Sequence, residues 1–292
     1  MVRRNRADRR VHAGASGLLS LRFVKVQSLG NDFVLVRADE VAGLDLPALA
    51  LRLCERRFGV GSDGLLVYEV ASRRLIRQRM FNPDGTEDFC GNGLRCTARR
   101  ALDLGEVDEA FEFEHLGRVI PARSLPDGRI ETTLPPAVWS PEGVPTTLDR
   151  PWFDLPIEVD GWAGPVSVLS TGSAHLVAFV DRLPRDAVFE AVSPQLENHE
   201  AFPERVSVMW AESPSPGTLR LRVWERGVGE TLACGTGSAA TASAYARLTG
   251  FKGPVRILNP GGELVFDMDG WNGPLRAAGA ASVVFEGVWL DE

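Results

Sequence analysis

Two short stretches of the sequence, residues 88–96 (DFCGNGLRC) and 232–240 (LACGTGSAA), each combine a cysteine with closely spaced glycines. In both, the cysteine (Cys90 or Cys234) precedes a glycine, a small polar residue, a second glycine and a run that predicts a helix. Glycine lets the backbone turn tightly and approach a ligand closely. The unpaired N–H groups of a helix N-terminus favour negative charge, which includes a thiolate and a bound carboxylate. The repeated pattern therefore predicts two thiols that serve one anionic substrate.

Other cysteine chemistries fit the sequence less well. A cysteine nucleophile for acyl transfer needs a histidine base and an oxyanion hole, but the chain has only four histidines. A redox pair favours Cys-x-x-Cys spacing, whereas Cys90 and Cys96 are separated by five residues. A zinc site requires closely set ligands, which the sequence lacks, so we expect no metal.

Two equivalent thiols suit the inversion of a stereocentre. A thiolate can remove a proton from carbon while a thiol returns one to the opposite face, and helix N-termini would stabilise the developing carbanion through its carboxylate. Pyridoxal chemistry would need a Schiff-base lysine, and the only lysines, Lys25 and Lys252, lie in ordinary strand or turn sequences. The sequence thus favours racemisation without a cofactor. A helix N-terminus also predicts a lowered pKa for each thiol.

Composition sets broad limits on class and partners. A chain of 292 residues favours two domains. A net charge of −7 argues against nucleic acid as a partner, and no run approaches the ~20 apolar residues of a membrane span. Four cysteines are too few for a disulfide-stapled secreted domain, which favours reduced thiols and a cytoplasmic location. Residues 1–20 are rich in arginine without apolar periodicity and predict a disordered extension.

The pattern along the chain predicts strands on both sides of each cysteine motif. A helix is expected to begin at Pro47 and to end at Gly59, with an apolar stripe of Ala50, Leu53, Cys54 and Phe58. Cys54 and Cys96 are interpreted as structural residues. A proline-rich stretch at 135–152 is the predicted domain boundary. The glycines of 59–61 are echoed at 227–229, so we expect an internal duplication in which each half wraps strands around a central helix.

Five segments carry a resemblance to a known family: SLGNDF (28–33), FGVGSDGLL (58–66), FNPDGTEDFCGNGLRC (81–96), ERGVGETLACGTGS (225–238) and NPGGEL (259–264). They occur in the order found in diaminopimelate epimerases, which the chain resembles from about residue 21 to its C-terminus. The resemblance implies an α+β fold of two pseudo-symmetric, barrel-like domains, each a mostly antiparallel sheet around a central helix. The expected domains are 21–136, joined by the returning strand 279–292, and 137–278.

The resemblance also implies a mechanism and a set of site residues. Cys90 and Cys234 would exchange protons with the α-carbon, converting LL-2,6-diaminopimelate to its meso form in lysine and peptidoglycan precursor synthesis. Glu225 would take the distant ammonium, Arg226 would take the distant carboxylate through its fork of donors, and His175 would lie near the site. A homodimer is also expected. The other implied substrate-binding residues are Asn31, Asn82, Gly91, Asn92, Ser173, Ser207, Gly235 and Thr236.

The chain departs from the family pattern at the far end of the expected substrate. Gly172-Ser173-Ala174-His175 stands where the family has Gly-Asn-Pro-His, and Ser207 replaces a second asparagine. The interval from Asn82 to Cys90 is also one residue shorter than in the family. A serine offers fewer hydrogen-bonding groups than an asparagine. Two alternatives therefore stay open: a cofactor-independent racemase of another amino acid, and a non-catalytic amino-acid binder.

Overall fold

A computed structural model describes residues 19–291 of the chain. Residues 19 and 20 belong to the first strand, and the rest of the predicted arginine-rich extension lies outside the described residues. The described part contains seventeen strands, four α-helices and one short 3-10 helix. The elements of residues 19–134 are β1 (Leu19–Ser28), β2 (Asn31–Arg37), the 3-10 helix (Ala38–Val41), α1 (Leu46–Cys54), β3 (Gly64–Ser72), β4 (Leu75–Phe81), α2 (Gly91–Asp103), β5 (Ala110–His115), β6 (Arg118–Ser124) and β7 (Ile130–Leu134).

A second series follows the proline-rich stretch. Its elements are β8 (Leu155–Val159), β9 (Trp162–Ser170), β10 (Ala174–Val180), α3 (Asp186–Glu197), β11 (Ser207–Ser215), β12 (Thr218–Glu225), β13 (Gly229–Thr231), α4 (Gly235–Thr249), β14 (Val255–Asn259), β15 (Gly262–Met268), β16 (Leu275–Gly279) and β17 (Ser282–Asp291). None of the four α-helices between residues 19 and 291 is both long and apolar enough to cross a membrane.

The described chain divides into two compact units. The first comprises residues 19–27, 32–119 and 282–291, and the second comprises residues 28–31 and 120–281. In the first unit, β17 pairs antiparallel with β1, β3 pairs antiparallel with β4, and the pairs β2–β3 and β4–β5 are parallel. Helix α2 packs on β3 and β17, whereas α1 packs on β3 and β4.

The second unit repeats this plan with a larger sheet. Helix α3 connects the parallel strands β10 and β11, and α4 lies in the connection between the parallel strands β12 and β14. In the first unit, α1 and α2 likewise connect parallel strands. The remaining pairs from β14 through β15 and β16 to β7 are antiparallel. Helix α4 packs on strands of both halves of this sheet, β9, β10 and β11 as well as β14 and β15. The α+β prediction and the internal repeat are therefore confirmed.

Close packing of α4 explains its small residues. Ten consecutive residues of this helix, from Gly237 to Ala246, are buried. A Cβ added at Gly237 would lie 2.3 Å from the sulfur of Met209, so a larger residue there would require the Met209 side chain of β11 to move. In the first unit, a Cβ at Gly93 of α2 would lie 2.8 Å from a methyl group of Leu66. The second glycine of each cysteine motif thus allows close contact between the helix and side chains of the sheet.

The predicted extent of the first helix is wrong at its C-terminal end. Helix α1 stops at Cys54, and Phe58, which the sequence placed in the apolar stripe, is 91% exposed. The reason is local: the carboxylate of Glu55 accepts hydrogen bonds from the backbone N–H groups of Arg57 and Phe58, which turns the chain away from the helix. The predicted burial of Ala50, Leu53 and Cys54 is correct.

Candidate active site

Cys90 is the N-cap residue of α2 in the first unit and is partly exposed. Its extended backbone (φ −141°, ψ 108°) directs the chain into the helix, where Gly91 and Asn92 are the first two residues. The backbone N–H groups of Gly93 and Asn92 act on its sulfur in the direction that lowers the pKa of the thiol. The first turn of α2 thus surrounds the thiol with donors, as the sequence predicts.

Cys234 has the equivalent position at the N-cap of α4 in the second unit. Its sulfur accepts a hydrogen bond from the N–H of Gly237 at 3.3 Å and lies 3.4 Å from Oγ1 of Thr236. The hydroxyl of Thr171 donates to the carbonyl of Thr236 at 2.7 Å, which attaches the end of β9 to this first helical turn. Gly235 is the first helical residue. Two half-sites with the same backbone design therefore occur, one in each unit.

The expected lowering of both thiol pKa values is wrong. Burial raises the pKa of Cys90, although the N–H of Gly93 and the charge of Arg95 act in the opposite direction. Burial also raises the pKa of Cys234 to about 12, and the neighbouring carboxylate of Glu225 adds to this rise. Desolvation disfavours a thiolate more than one helical turn stabilises it in these pockets. Both thiols therefore require a further partner, such as a bound ligand or a charged side chain, to ionise near neutral pH.

Glu225 is the charged neighbour of Cys234. It is the last residue of β12, and its Oε1 accepts a hydrogen bond from the hydroxyl of Thr231 at 2.5 Å. Its carboxylate also forms a hydrogen bond with the Cys234 side chain. The resemblance implies that Glu225 takes the distant ammonium of the substrate. In the structure its carboxylate lies beside the thiol of Cys234.

The segment around Glu225 and Arg226 is held by a buried carboxylate, Glu197, at the end of α3. Its Oε2 accepts from the indole N–H of Trp224 at 2.7 Å. Its Oε1 accepts from the backbone N–H of Gly227 at 2.8 Å and from Nη1 of Arg205 at 3.1 Å. Two of these donors lie immediately before and after the Glu225–Arg226 pair. No motif marked Glu197 in the sequence, because it lies in a helical region with no glycine or cysteine signature.

Ser173, His175, Ser207 and Arg226 lie near one another in the second unit. The hydroxyl of Ser173 lies 3.1 Å from Nε2 of His175, and the hydroxyl of Ser207 accepts from the backbone N–H of Arg226 at 3.1 Å. Burial lowers the pKa of His175 to about 3, and the positive charge of Arg226 contributes in the same direction. Arg226 itself donates to the carbonyl of Glu204 at 2.8 Å. His175 is therefore neutral and serves as a hydrogen-bonding group.

The two predicted asparagines lie in turns. Asn82 follows β4, and its side-chain amide donates to the hydroxyl of Thr86 at 3.0 Å. Asn31 begins β2 after Leu29 and Gly30, both of which have positive φ (59° and 78°). Of the predicted site residues, Asn82, Cys90, Gly91 and Asn92 belong to the first unit. The others, Asn31, Ser173, His175, Ser207, Glu225, Arg226, Cys234, Gly235 and Thr236, belong to the second unit.

Comparison with known proteins identifies the family. The family model described as diaminopimelate epimerase matches residues 23–137 and 167–283. A diaminopimelate epimerase of Moorella thermoacetica is 38% identical over 278 residues, which cover 91% of this chain and 98% of that protein. One of Stutzerimonas stutzeri is 38% identical over 271 residues, with coverage of 91% and 98%. This chain belongs to the diaminopimelate epimerase family.

More distant solved structures share the fold of this diaminopimelate epimerase family member. A hydroxyproline epimerase from Agrobacterium vitis, solved with bound trans-4-hydroxy-L-proline, has a TM-score of 0.66 at 16% identity and covers 93% of this chain and 92% of that one. A phenazine biosynthesis protein of the PhzF family from Bacillus anthracis has a TM-score of 0.63 at 18% identity, with coverage of 92% and 98%. At these identities the likeness concerns the fold.

Proposed function

We propose that this protein epimerises LL-2,6-diaminopimelate to the meso form without pyridoxal phosphate, by proton transfer between the substrate and two cysteines. The observation that carries the proposal is the repeated half-site, a cysteine that caps a helix and is surrounded by first-turn N–H donors, in a chain of the diaminopimelate epimerase family. The reaction would feed lysine and peptidoglycan precursor synthesis.

The proposed reaction conserves charge and needs no oxidant. One cysteine, as thiolate, takes the proton from the α-carbon, and the electron pair of that C–H bond passes into the substrate carboxylate. N–H groups of Gly91, Asn92, Gly235 and Thr236 would stabilise the developing negative charge. The other cysteine, as thiol, gives its proton to the opposite face of the carbon. A new C–H bond of inverted configuration forms, and the protonation states of the two cysteines are exchanged.

The side chains of the second unit support recognition of an amino acid with two charged ends. The carboxylate of Glu225 can accept from an ammonium group, and Arg226 can bind a carboxylate in a bidentate manner. Ser173, Ser207 and His175 supply neutral hydrogen-bonding groups beside Arg226. Asn82 of the first unit would add a further contact to the substrate, as would Asn31, which belongs to the second unit.

The two serines are also the observation that favours a second candidate, a cofactor-independent racemase of another amino acid. Ser207 is buried, and its hydroxyl already accepts from Arg226. The hydroxyl of Ser173 is similarly engaged with His175. If these serines arose by sequence drift without a change of substrate, the double substitution of Ser173→Asn and Ser207→Asn should raise kcat/KM for diaminopimelate. An unchanged or lower value would favour a different substrate.

Location and assembly are further parts of the proposal. No disulfide joins the four cysteines, all of which lie between residues 19 and 291, and reduced thiols agree with a cytoplasmic enzyme. A homodimer is supported by exposed apolar residues of β17, where Val284, Val288 and Leu290 are each more than half exposed. Exposed apolar patches of this kind are typical of contact surfaces.

Proton NMR in deuterated water tests the function directly. Reduced protein with stereopure LL-diaminopimelate and no added cofactor should lose the α-proton signal and form meso product. Cys90→Ala and Cys234→Ala should each abolish meso product, whereas Cys96→Ala, which alters a buried thiol outside the half-sites, should retain it. Exchange with another amino acid instead of diaminopimelate would reassign the substrate. Absence of exchange across a panel of amino acids would favour a binder.

A further inference from the structure

A buried histidine contacts the segment that leads into Cys90. His115 is the last residue of β5 and is only 1% exposed. Its Nδ1 lies 2.9 Å from the carbonyl oxygen of Gln78 in β4, and its Nε2 lies 3.1 Å from the carbonyl oxygen of Asp88. The centroid of its ring lies 5.7 Å from that of Phe89. The imidazole therefore joins the sheet of the first unit to the two residues immediately before the cysteine.

The same segment is also attached to the sheet near the surface. A β-bridge between Phe81 and Glu87 pairs it with the end of β4. The carboxylate of Glu87 accepts two hydrogen bonds from Arg79, of 2.8 and 2.7 Å. The side chain of Arg79 is about half exposed, however, and an exposed ion pair fixes a chain only weakly. The contact with His115 is thus a buried attachment, and it acts directly on the carbonyl of Asp88.

The second unit holds the matching segment in a different way. There the three residues of β13 pair with the end of β12. The residue that matches His115, also the last of its strand and also 25 positions after its cysteine, is Asn259 of β14. The Oδ1 of Asn259 accepts a hydrogen bond from the hydroxyl of Ser238 at 3.2 Å, so it contacts helix α4. The histidine contact is therefore a feature of the first half-site and not a requirement of the repeated fold.

We propose that His115 is a positioning residue for Cys90, and that its contact with Asp88 sets the direction from which the thiol meets the α-carbon. This role rests on the proposed two-thiol function. The carbonyl of Asp88 belongs to the planar peptide unit that leads into Phe89, so fixing it restricts the chain just before the helix cap. Proton transfer depends on such placement, because the reacting atoms must approach to about 3–3.5 Å in good alignment. His115 acts through the backbone.

Two amide substitutions separate the two hydrogen bonds of His115. In His115→Gln the side-chain nitrogen is as many bonds from Cβ as Nε2 is, and it can donate to Asp88. In His115→Asn the nitrogen matches Nδ1 and can donate to Gln78 instead. We expect kcat for α-proton exchange with LL-diaminopimelate to stay within about threefold of the wild type in His115→Gln and to fall about tenfold or more in His115→Asn. KM should change little, because Glu225 and Arg226 of the second unit are left intact.

Alkylation by iodoacetamide tests the same contact without substrate. The reduced protein is treated at one fixed pH, and the rate at each cysteine is followed by mass spectrometry of its peptide. Alkylation of Cys90 should be faster in His115→Asn than in the wild type, whereas that of Cys234 should be unchanged. Phe113→Leu is the matched control, since it removes volume from a fully buried position of the same strand and keeps the contact with Asp88. Its kcat and its Cys90 rate should equal those of the wild type.

Urea unfolding identifies variants that do not fold. Equal kcat values in folded His115→Gln and His115→Asn, or a Cys90 rate unchanged in His115→Asn, would overturn the positioning role. If neither amide variant folds, Phe89→Leu decides, because it removes only the half-buried ring against His115. It should lower kcat and speed alkylation of Cys90, and wild-type values of both would count against the proposal. A wild-type protein that shows the expected alkylation pattern and does not turn over diaminopimelate would refute only the proposed function.

Discussion

Replacement of Glu197 by glutamine tests whether a buried carboxylate positions the pair Glu225–Arg226. The carboxylate is only 5% exposed and accepts three hydrogen bonds of 2.7–3.1 Å. An amide has a single acceptor oxygen, and its NH₂ group would face at least one N–H donor. In the best orientation the amide oxygen replaces Oε1, keeps the bonds from Gly227 and Arg205, and loses the bond from Trp224.

The expected magnitude follows from this count of bonds. One buried donor left unsatisfied costs about 1–3 kcal/mol, so we expect Glu197→Gln to lower the free energy of unfolding by about 2 kcal/mol. Activity should fall as well, because Trp224 and Gly227 fix Glu225–Arg226 from both sides. A misplacement that costs about 1.4 kcal/mol in the transition state reduces kcat/KM tenfold. We expect most of this loss as a higher KM, since Arg226 is proposed to bind substrate.

Urea unfolding and α-proton exchange with diaminopimelate measure the two effects separately. Arg205→Met is the matched control, because it removes a half-exposed donor from the same carboxylate and leaves the bonds to Trp224 and Gly227 intact. Its cost should stay below about 1 kcal/mol, with KM close to that of the wild type. A Glu197→Gln protein with wild-type stability and wild-type KM would show that the carboxylate does not position this segment.

Two further predictions concern stability in the second unit. The lowered pKa of His175, about 3, means that the unfolded chain gains a proton below pH 6.5 and the folded chain does not. The free energy of unfolding should therefore decrease as the pH is lowered below about 6.5, by about 2 kcal/mol at pH 5. Urea unfolding of His175→Gln should lack this part of the pH dependence. The guanidinium of Arg247 lies 4.0–4.5 Å from the centroids of three aromatic rings, those of Trp139, Phe153 and Trp271. Arg247→Leu should lower the free energy of unfolding by about 1–3 kcal/mol, and Arg247→Lys should lower it less. A thermal unfolding midpoint of Arg247→Leu as high as that of the wild type would contradict this.

Local sequence signals predicted the elements that carry the half-sites. Strands lie on both sides of each cysteine motif as predicted, β4 and β5 around the first and β12 and β14 around the second, and α2 and α4 begin immediately after their cysteines. These elements have strong alternation or clear breakers at their ends. Strands such as β13 and β16 are harder to recognise from the sequence. Strand β13 has only three residues, and β16 is rich in alanine and glycine, so neither shows a β-pattern that could be recognised locally.

The electrostatic environment of the site could not be predicted from the sequence. The glycines beside Cys90 and Cys234 indicate where N–H donors gather, but burial depends on strands that are distant in the chain. Desolvation by those strands reverses the expected direction of both thiol pKa values. Glu197 lies 28 residues before Glu225, and only the packing of α3 brings its carboxylate to Trp224 and Gly227. Tertiary packing therefore supplies the information that local patterns lack.

The duplication itself explains why side chains must distinguish the two cysteines. A repeated strand–loop–helix unit gives both thiols the same helix cap and the same first-turn donors, so its backbone favours neither as the base. A two-base reaction nevertheless needs one thiolate and one thiol at the same moment. The repeats differ at two matching positions, where the first unit has Arg95 and Phe81 and the second unit has Ala239 and Glu225. These differences can supply that asymmetry without changing the backbone. The same reasoning predicts that loss of either charged residue brings the ionisation of the two thiols closer together.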